Sequence, residues 1–398
     1  MKKVLSLVST THLFRTGFLV LFAGLIILSC AQDSLFYNIS IEPEPKDPRI
    51  PGTPTNMAVV NSRVYVGTRM SKKINYYYYD PVASRTKWGS MSSPGGSLID
   101  LASDGTYLFA LVFPGGSPRR SVIKRYNFTS ADWDEEISSG DYSIHSLYSA
   151  GGEIFAGGQN KSNYLKYAIL HCDSDLSSFD ATTETGNALL TGAAEAGGDI
   201  YLATSGSGIF KFDGSDITPL VDAASGKNIT GIIETGGVIV AVSDGTVYSD
   251  LETPGTFTAY SSGGNFSGAM CVWKEYDGAT WVPKLLLLGI NGEGTSTNLG
   301  YRELELEDTG GKPRAAALIK SPGNSSPTTV IKNSKYSASI GKHPVEAILQ
   351  IPDELDNGPL KYDDSIADDP DWQPPIFAST VKNGLWSYVY KDDQWNAE

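Results

Sequence analysis

Few side chains in this sequence are spaced for chemistry. Beyond the N-terminal region the histidines are His145, His171 and His343, which share no ligand spacing. Strand or surface histidines are therefore expected, with no metal site and no cofactor. Cys172 and Cys271 each sit in an apolar stretch without a metal-spaced neighbour. Two isolated buried thiols are expected in preference to a disulfide. The segment 353–371 holds eight acidic residues against Lys361 alone. Asp353, Asn357, Gly358 and Asp364 fall at positions 1, 5, 6 and 12 of a calcium-hand loop. Leu355 at position 3 offers no oxygen, so a solvated acidic insertion is the expectation. Neither a Gly-x-Ser-x-Gly elbow nor a phosphate-cradling Gly-Lys-Ser/Thr loop occurs. No residue is singled out as catalytic.

Cys30 is the exception. The chain opens on Met1-Lys2-Lys3, and an apolar run from Gly17 to Leu28 leads into Ser29-Cys30. The run is too short for a bilayer-spanning helix, which needs about 20 residues, but suits the apolar region of a signal peptide. Its end, Ile27-Leu28-Ser29-Cys30, resembles the lipobox of bacterial lipoproteins. That resemblance implies cleavage before Cys30, lipid on its thiol, and a membrane anchor made of more than one acyl chain. Residue 31 is Ala, so the Asp retention signal of enterobacterial lipoproteins is absent.

Removal of residues 1–29 takes away Lys2, Lys3 and Arg15 and no acid, leaving 28 basic against 45 acidic residues, a net of −17. Such a surface disfavours nucleic acid and anionic headgroups, so the lipid is expected to do the membrane holding. Gly 42 and Tyr 21, with 19% charged residues, suit strands and tight turns rather than helical bundles.

The elements behind these residues repeat. A short apolar segment runs into a Gly-Gly or Asp-Gly turn, then into a very apolar strand ending in small residues. Clear copies are 194–204, 233–243 and 149–158, with weaker ones at 60–68 and 102–110. Aligned on the position of Tyr201, the series is Tyr65, Leu108, Phe155, Tyr201, Val240, Leu287 and Phe377. The steps are 43, 47, 46, 39 and 47 residues, then 90. Periods of about 40–50 residues, alternating with period two, indicate an all-β propeller. Two accounts fit the long step. Either Lys335–Ile340 centres an eighth blade, or 343–350 is the first strand of the last blade and 353–374 an insertion. The second, with seven blades, is preferred.

The expected organisation is a signal peptide over 1–29, a lipidated Cys30 with a Pro-rich tether over 30–54, and the propeller over 55–398. Most aromatics are expected to pack between blades. Trp273, Tyr276, Trp281 and Trp372 lie in the two long insertions and are expected to project from one face towards a protein or glycan partner. The tail, Asn383-Gly384-Leu385-Trp386 with Gln394-Trp395, and Ser339–Pro344 upstream are similar to the C-terminal portion of spirochaetal lipoproteins. That resemblance supports envelope location and a propeller, and carries no activity. Ser243–Tyr248 resembles the Asp-box turn of sialidase propellers, but the arginines occupy no repeated slot. The expected function is a monomeric, non-catalytic binding scaffold held at the cell envelope. The alternative is a hydrolase or lyase acting on glycans from the central channel.

Overall fold

The computed structural model describes residues 50–80, 85–115, 120–172, 177–276, 281–290, 301–307, 310–318, 344–351, 376–381, 384–389 and 394–398. The chain divides into units of residues 1–46 and 47–398, and every described residue belongs to the second.

That unit is a seven-bladed β-propeller. Blade one holds β1 (Ala58–Val60), β2 (Arg63–Gly67), β3 (Ile74–Asp80) and β4 (Arg85–Met91). Blade two holds β5 (Ser97–Ser103), β6 (Leu108–Phe113), β7 (Val122–Asn127) and β8 (Asp132–Ile137). Blade three holds β9 (Tyr142–Ala150), β10 (Glu153–Asn160), β11 (Tyr167–Cys172) and β12 (Phe179–Gly186). Blade four holds β13 (Leu190–Ala196), β14 (Asp199–Thr204), β15 (Gly208–Phe212) and β16 (Ile217–Pro219). Blades five and six share one ladder of β17 (Ile229–Thr235), β18 (Val238–Thr253), β19 (Thr256–Tyr276), β20 (Trp281–Ile290) and β21 (Tyr301–Glu305). Blade seven holds β22 (Val345–Gln350), β23 (Ile376–Thr380), β24 (Gly384–Val389) and β25 (Gln394–Ala397). One helical turn, α1 (Ala315–Leu318), precedes it. Among the described residues no helix is long and apolar enough to cross a membrane.

The two long strands explain the shared ladder. β19 pairs with β18 through Thr256–Ser261 and with β20 through Met270–Tyr276, so it leaves one blade as outer strand and starts the next as inner strand. The first strands of successive blades touch one another and ring the axis. Every ladder between these described strands is antiparallel. Segments joining second to third strands, and blade to blade, therefore share one face, called upper here. First-to-second and third-to-fourth turns share the lower face. Lower-face pairs such as Gly197-Gly198 (φ 62° and 88°) and Gly236-Gly237 (φ 62° and 77°) show the double positive φ of type I′ hairpins.

Seven apolar clusters fill the ring, one between each pair of neighbouring blades. The last closes it: Val64, Val66 and Tyr77 of blade one meet Phe377 and Leu385 of blade seven. Tyr77 sets its ring edge-on to Phe377 at 5.1 Å, and Trp88 Nε1 donates to Glu398 Oε2 at 2.8 Å. Ile50, wholly buried, donates its N–H to Glu398 O at 2.5 Å and accepts from Leu385 N at 3.0 Å. Ile50, before the boundary expected at residue 55, is thus packed into the ring. The apolar clusters of the described residues all lie within 47–398.

A polar repeat accompanies the apolar one. The inner strands β5, β9, β13, β17, β19 and β22 carry a bulge near their start, and in every blade but the sixth a carbonyl at this level accepts a hydrogen bond from the preceding blade. Ser146 Oγ donates to Leu190 O (3.0 Å), Thr191 Oγ1 to Ile229 O (2.7 Å) and Ser379 Oγ to Pro54 O (3.3 Å). Ser121 Oγ serves Ile144 O, Ser267 Oγ serves Val345 O, and the Met70 N–H serves Leu98 O. Between blades five and six the backbones themselves meet: a Cβ on Gly231 would lie 2.2 Å from Gly268 O.

All seven aligned positions fall on second strands. Register corrects one of them. Tyr65, Phe155, Tyr201, Val240, Leu287 and Phe377 face the following blade, whereas Leu108 faces the preceding one. Phe109, one residue on, is the equivalent. A one-residue slip on a strand exchanges its two faces.

Candidate functional site

Among the described residues, two concavities bear on function, one along the axis and one beside it. The larger, about 420 Å³, is walled by inner strands of blades one, two, three, four, six and seven. Most of its lining is small or aliphatic, including Ala58, Val59, Ala193, Ala269 and Leu349; Asn56, Ser103, Tyr148 and Glu346 are its main polar groups.

Behind this wall sits Asp100, 5% exposed. Its Oδ1 accepts from Asn56 N at 3.2 Å and Leu101 N at 3.0 Å, and its Oδ2 accepts from Asn56 Nδ2 at 3.0 Å. These bonds staple the start of blade one to β5. Burial pushes the Asp100 carboxyl up to about 6, while nearby Arg69 and the N–H donors pull the other way. Burial also raises the Tyr148 phenol, helped by the Asp100 charge and opposed by Arg69. Arg69 itself pairs with Glu346 Oε2 at 3.1 Å. Blades one, two, three and seven thus bring five polar side chains to one end of the channel. Each ionised member has an internal partner.

The second concavity, about 230 Å³, opens beside blades five to seven and is lined by Ile233, Met270, Val272, Lys274, Trp281 and Leu349, among others. Gln350 holds its wall by joining blades six and seven. Lys274 N donates to Gln350 Oε1 at 2.7 Å, and Gln350 Nε2 donates to Lys274 O at 2.8 Å. Gln350 N also donates to Cys271 Sγ at 3.1 Å.

The four aromatics expected on one face separate. Trp281 is partly exposed on the groove lip. Tyr276 ends β19 directly opposite it in register. Trp273 is 1% exposed and packs between blades six and seven with Cys271, Leu285 and Trp386. Its placement in an exposed insertion is therefore corrected. The stretch is blade ladder, and period two turns residues 269, 271 and 273 into the interface and 270, 272 and 274 away from it. Trp372, Cys30, His343 and the acidic segment 353–371 lie outside the described residues.

The remaining candidates are structural. His171 Nε2 meets Glu153 Oε2 at 2.8 Å and stacks near Phe155 and Phe212. His145 is exposed in blade three. Cys172 and Cys271 are buried in different blades without a disulfide. Burial pushes the Cys271 thiol up to about 12, which removes it as a nucleophile at neutral pH. Among the described residues no three His, Cys, Asp or Glu gather as a metal site.

Asn56, Arg69, Asp100, Tyr148 and Glu346 escaped sequence reasoning. Asp100 left one trace, a lone acid inside the apolar run Leu98-Ile99-Asp100-Leu101-Ala102. No known protein family and no curated protein matches the chain.

Proposed function

We propose that this chain is a lipoprotein, anchored through Cys30, whose propeller is a binding module without turnover, with the groove beside Trp281 as its recognition site. The supporting observation is the division of labour between concavities. In the channel, the carboxylates of Asp100 and Glu346 are held by Asn56, Leu101 and Arg69, so neither is poised as acid or base on a substrate. The groove, by contrast, combines an apolar floor, a partly exposed indole and the exposed Lys274, the mixture that recognises proteins and glycans. The competing reading, a glycan hydrolase or lyase in the channel, draws on the raised Asp100 carboxyl and needs a conformation that frees it.

Trp281→Ala tests the groove. The tagged full chain, solubilised from its own membranes, is used to capture envelope proteins and glycan fragments. The variant is expected to lose at least about tenfold of one captured component, as for a central aromatic anchor. Equal recovery by both proteins would remove the groove from consideration.

A further inference from the structure

The upper face carries a pattern independent of the groove. Among the described residues five large apolar side chains stand exposed: Val221 at 92%, Leu165 at 79%, Tyr164 at 70%, Met70 at 69% and Leu189 at 36%. All five occupy upper-face connectors. Met70 lies between β2 and β3, Tyr164 and Leu165 between β10 and β11, Leu189 between β12 and β13, and Val221 between β16 and β17. The described lower-face turns carry none.

Lysines flank these tips. Lys72 and Lys73 follow Met70, Lys161 and Lys166 bracket Tyr164-Leu165, and Lys227 follows Val221 in the same connector. Described upper-face connectors hold seven basic residues against three acids, Asp141, Asp222 and Asp244 at the turn within β18. Described lower-face turns hold Asp104, Asp213, Asp216 and Glu307 against Lys312. Arg69, Arg120 and Lys166 are engaged with Glu346, Glu136 and Glu184. The outward positive charge therefore rests chiefly on exposed Lys72, Lys73 and Lys227. In a chain of net charge −14, that local balance runs against the whole.

Residues 31–49 separate Cys30 from Ile50, a length that spans at most about 60 Å. The apolar tips are spread from blade one to the junction of blades four and five. They are not gathered into a groove, and such a spread suits a plane.

We propose that the upper face docks on an anionic phospholipid bilayer, its apolar tips entering the headgroup region and Lys72, Lys73 and Lys227 facing lipid phosphates. This deepens the anchored reading above: lipid on Cys30 holds the chain, and the face orients it, leaving the lower face directed away from the membrane.

The test uses the chain from residue 31 onward, made without lipid and sedimented with phosphatidylcholine vesicles with and without phosphatidylglycerol. One variant carries Met70→Ser, Leu165→Ser and Val221→Ser; another carries Lys72→Glu, Lys73→Glu and Lys227→Glu. All six positions are exposed, and a thermal melt checks that both variants keep the fold. Wild type is expected to bind the anionic vesicles, less at high salt, with each variant weakened about tenfold or more. Absence of vesicle binding by wild type, or equal binding by both variants, overturns the proposal. So does loss of a protein ligand by the variants where vesicles are ignored, which would make this face a protein interface. Fatty-acid labelling of Cys30 in cells is read separately, so failure of the docking face and failure of the anchor are distinguishable.

Discussion

Burial holds the Asp100 carboxyl at about 6 in the folded chain, against 3.8 for the free group. Between those values the folded protein keeps a proton that the unfolded chain releases. The contribution of Asp100 to stability is thus greatest below the unfolded value and falls as pH rises through the window, by about 3 kcal/mol in total. Urea unfolding of wild type and Asp100→Asn from about pH 4 to pH 7 should show this fall in wild type and a flatter profile in the variant. Identical slopes would show that Asp100 is not the group responsible. Legibility was poorest at this scale. Trp273 and Trp281 look alike in sequence, both aromatics in a Lys/Glu/Asp-containing stretch. Only strand register separates them, placing one between blades and the other on a groove lip. The polar group around Asp100 was hidden for a related reason: its members come from four blades.

Elements are tied to one another by a repeated acceptor with changing donors. The carbonyls of Pro54, Leu98, Ile144, Leu190, Ile229 and Val345 are equivalent, yet they are served by serines, a threonine and a backbone N–H. A repeat in carbonyls leaves no mark on side-chain sequence, whereas the apolar second strands and Gly-Gly turns do, and those gave the period. The missed register at Leu108 follows from a strand apolar on both faces, Leu108 to Phe113, where alternation cannot fix the face. Thr191→Val, which keeps shape and removes the donor to Ile229 O, should cost about 1–2 kcal/mol in chemical denaturation. Gly231→Ala should cost about 3 kcal/mol or more, because the added Cβ meets the Gly268 backbone and no side chain can move aside. Equal, small effects would mean that blade junctions are looser than these contacts imply.

For the whole molecule, closure decides the blade count. Val345–Gln350 and Ile376–Thr380 are the first and second strands of the last blade, and the seventh apolar cluster joins that blade to the first. Net charge describes the chain as repelled by anionic membranes, but composition does not say which side of a ring a charge occupies. Antiparallel blades sort connectors strictly onto two faces, and here they sort Lys72, Lys73 and Lys227 away from Asp104, Asp213 and Asp216. In the reading proposed above, lipid on Cys30 and a groove bordered by Trp281 together make a membrane-held recognition module. Its anchor is tested most directly by metabolic labelling with an alkyne-bearing fatty acid in cells expressing the full chain or Cys30→Ser. Wild type should carry the label and stay with membranes after a high-salt wash, and Cys30→Ser should lose both properties. An unlabelled wild type, or a Cys30→Ser chain that stays on salt-washed membranes, would contradict the account.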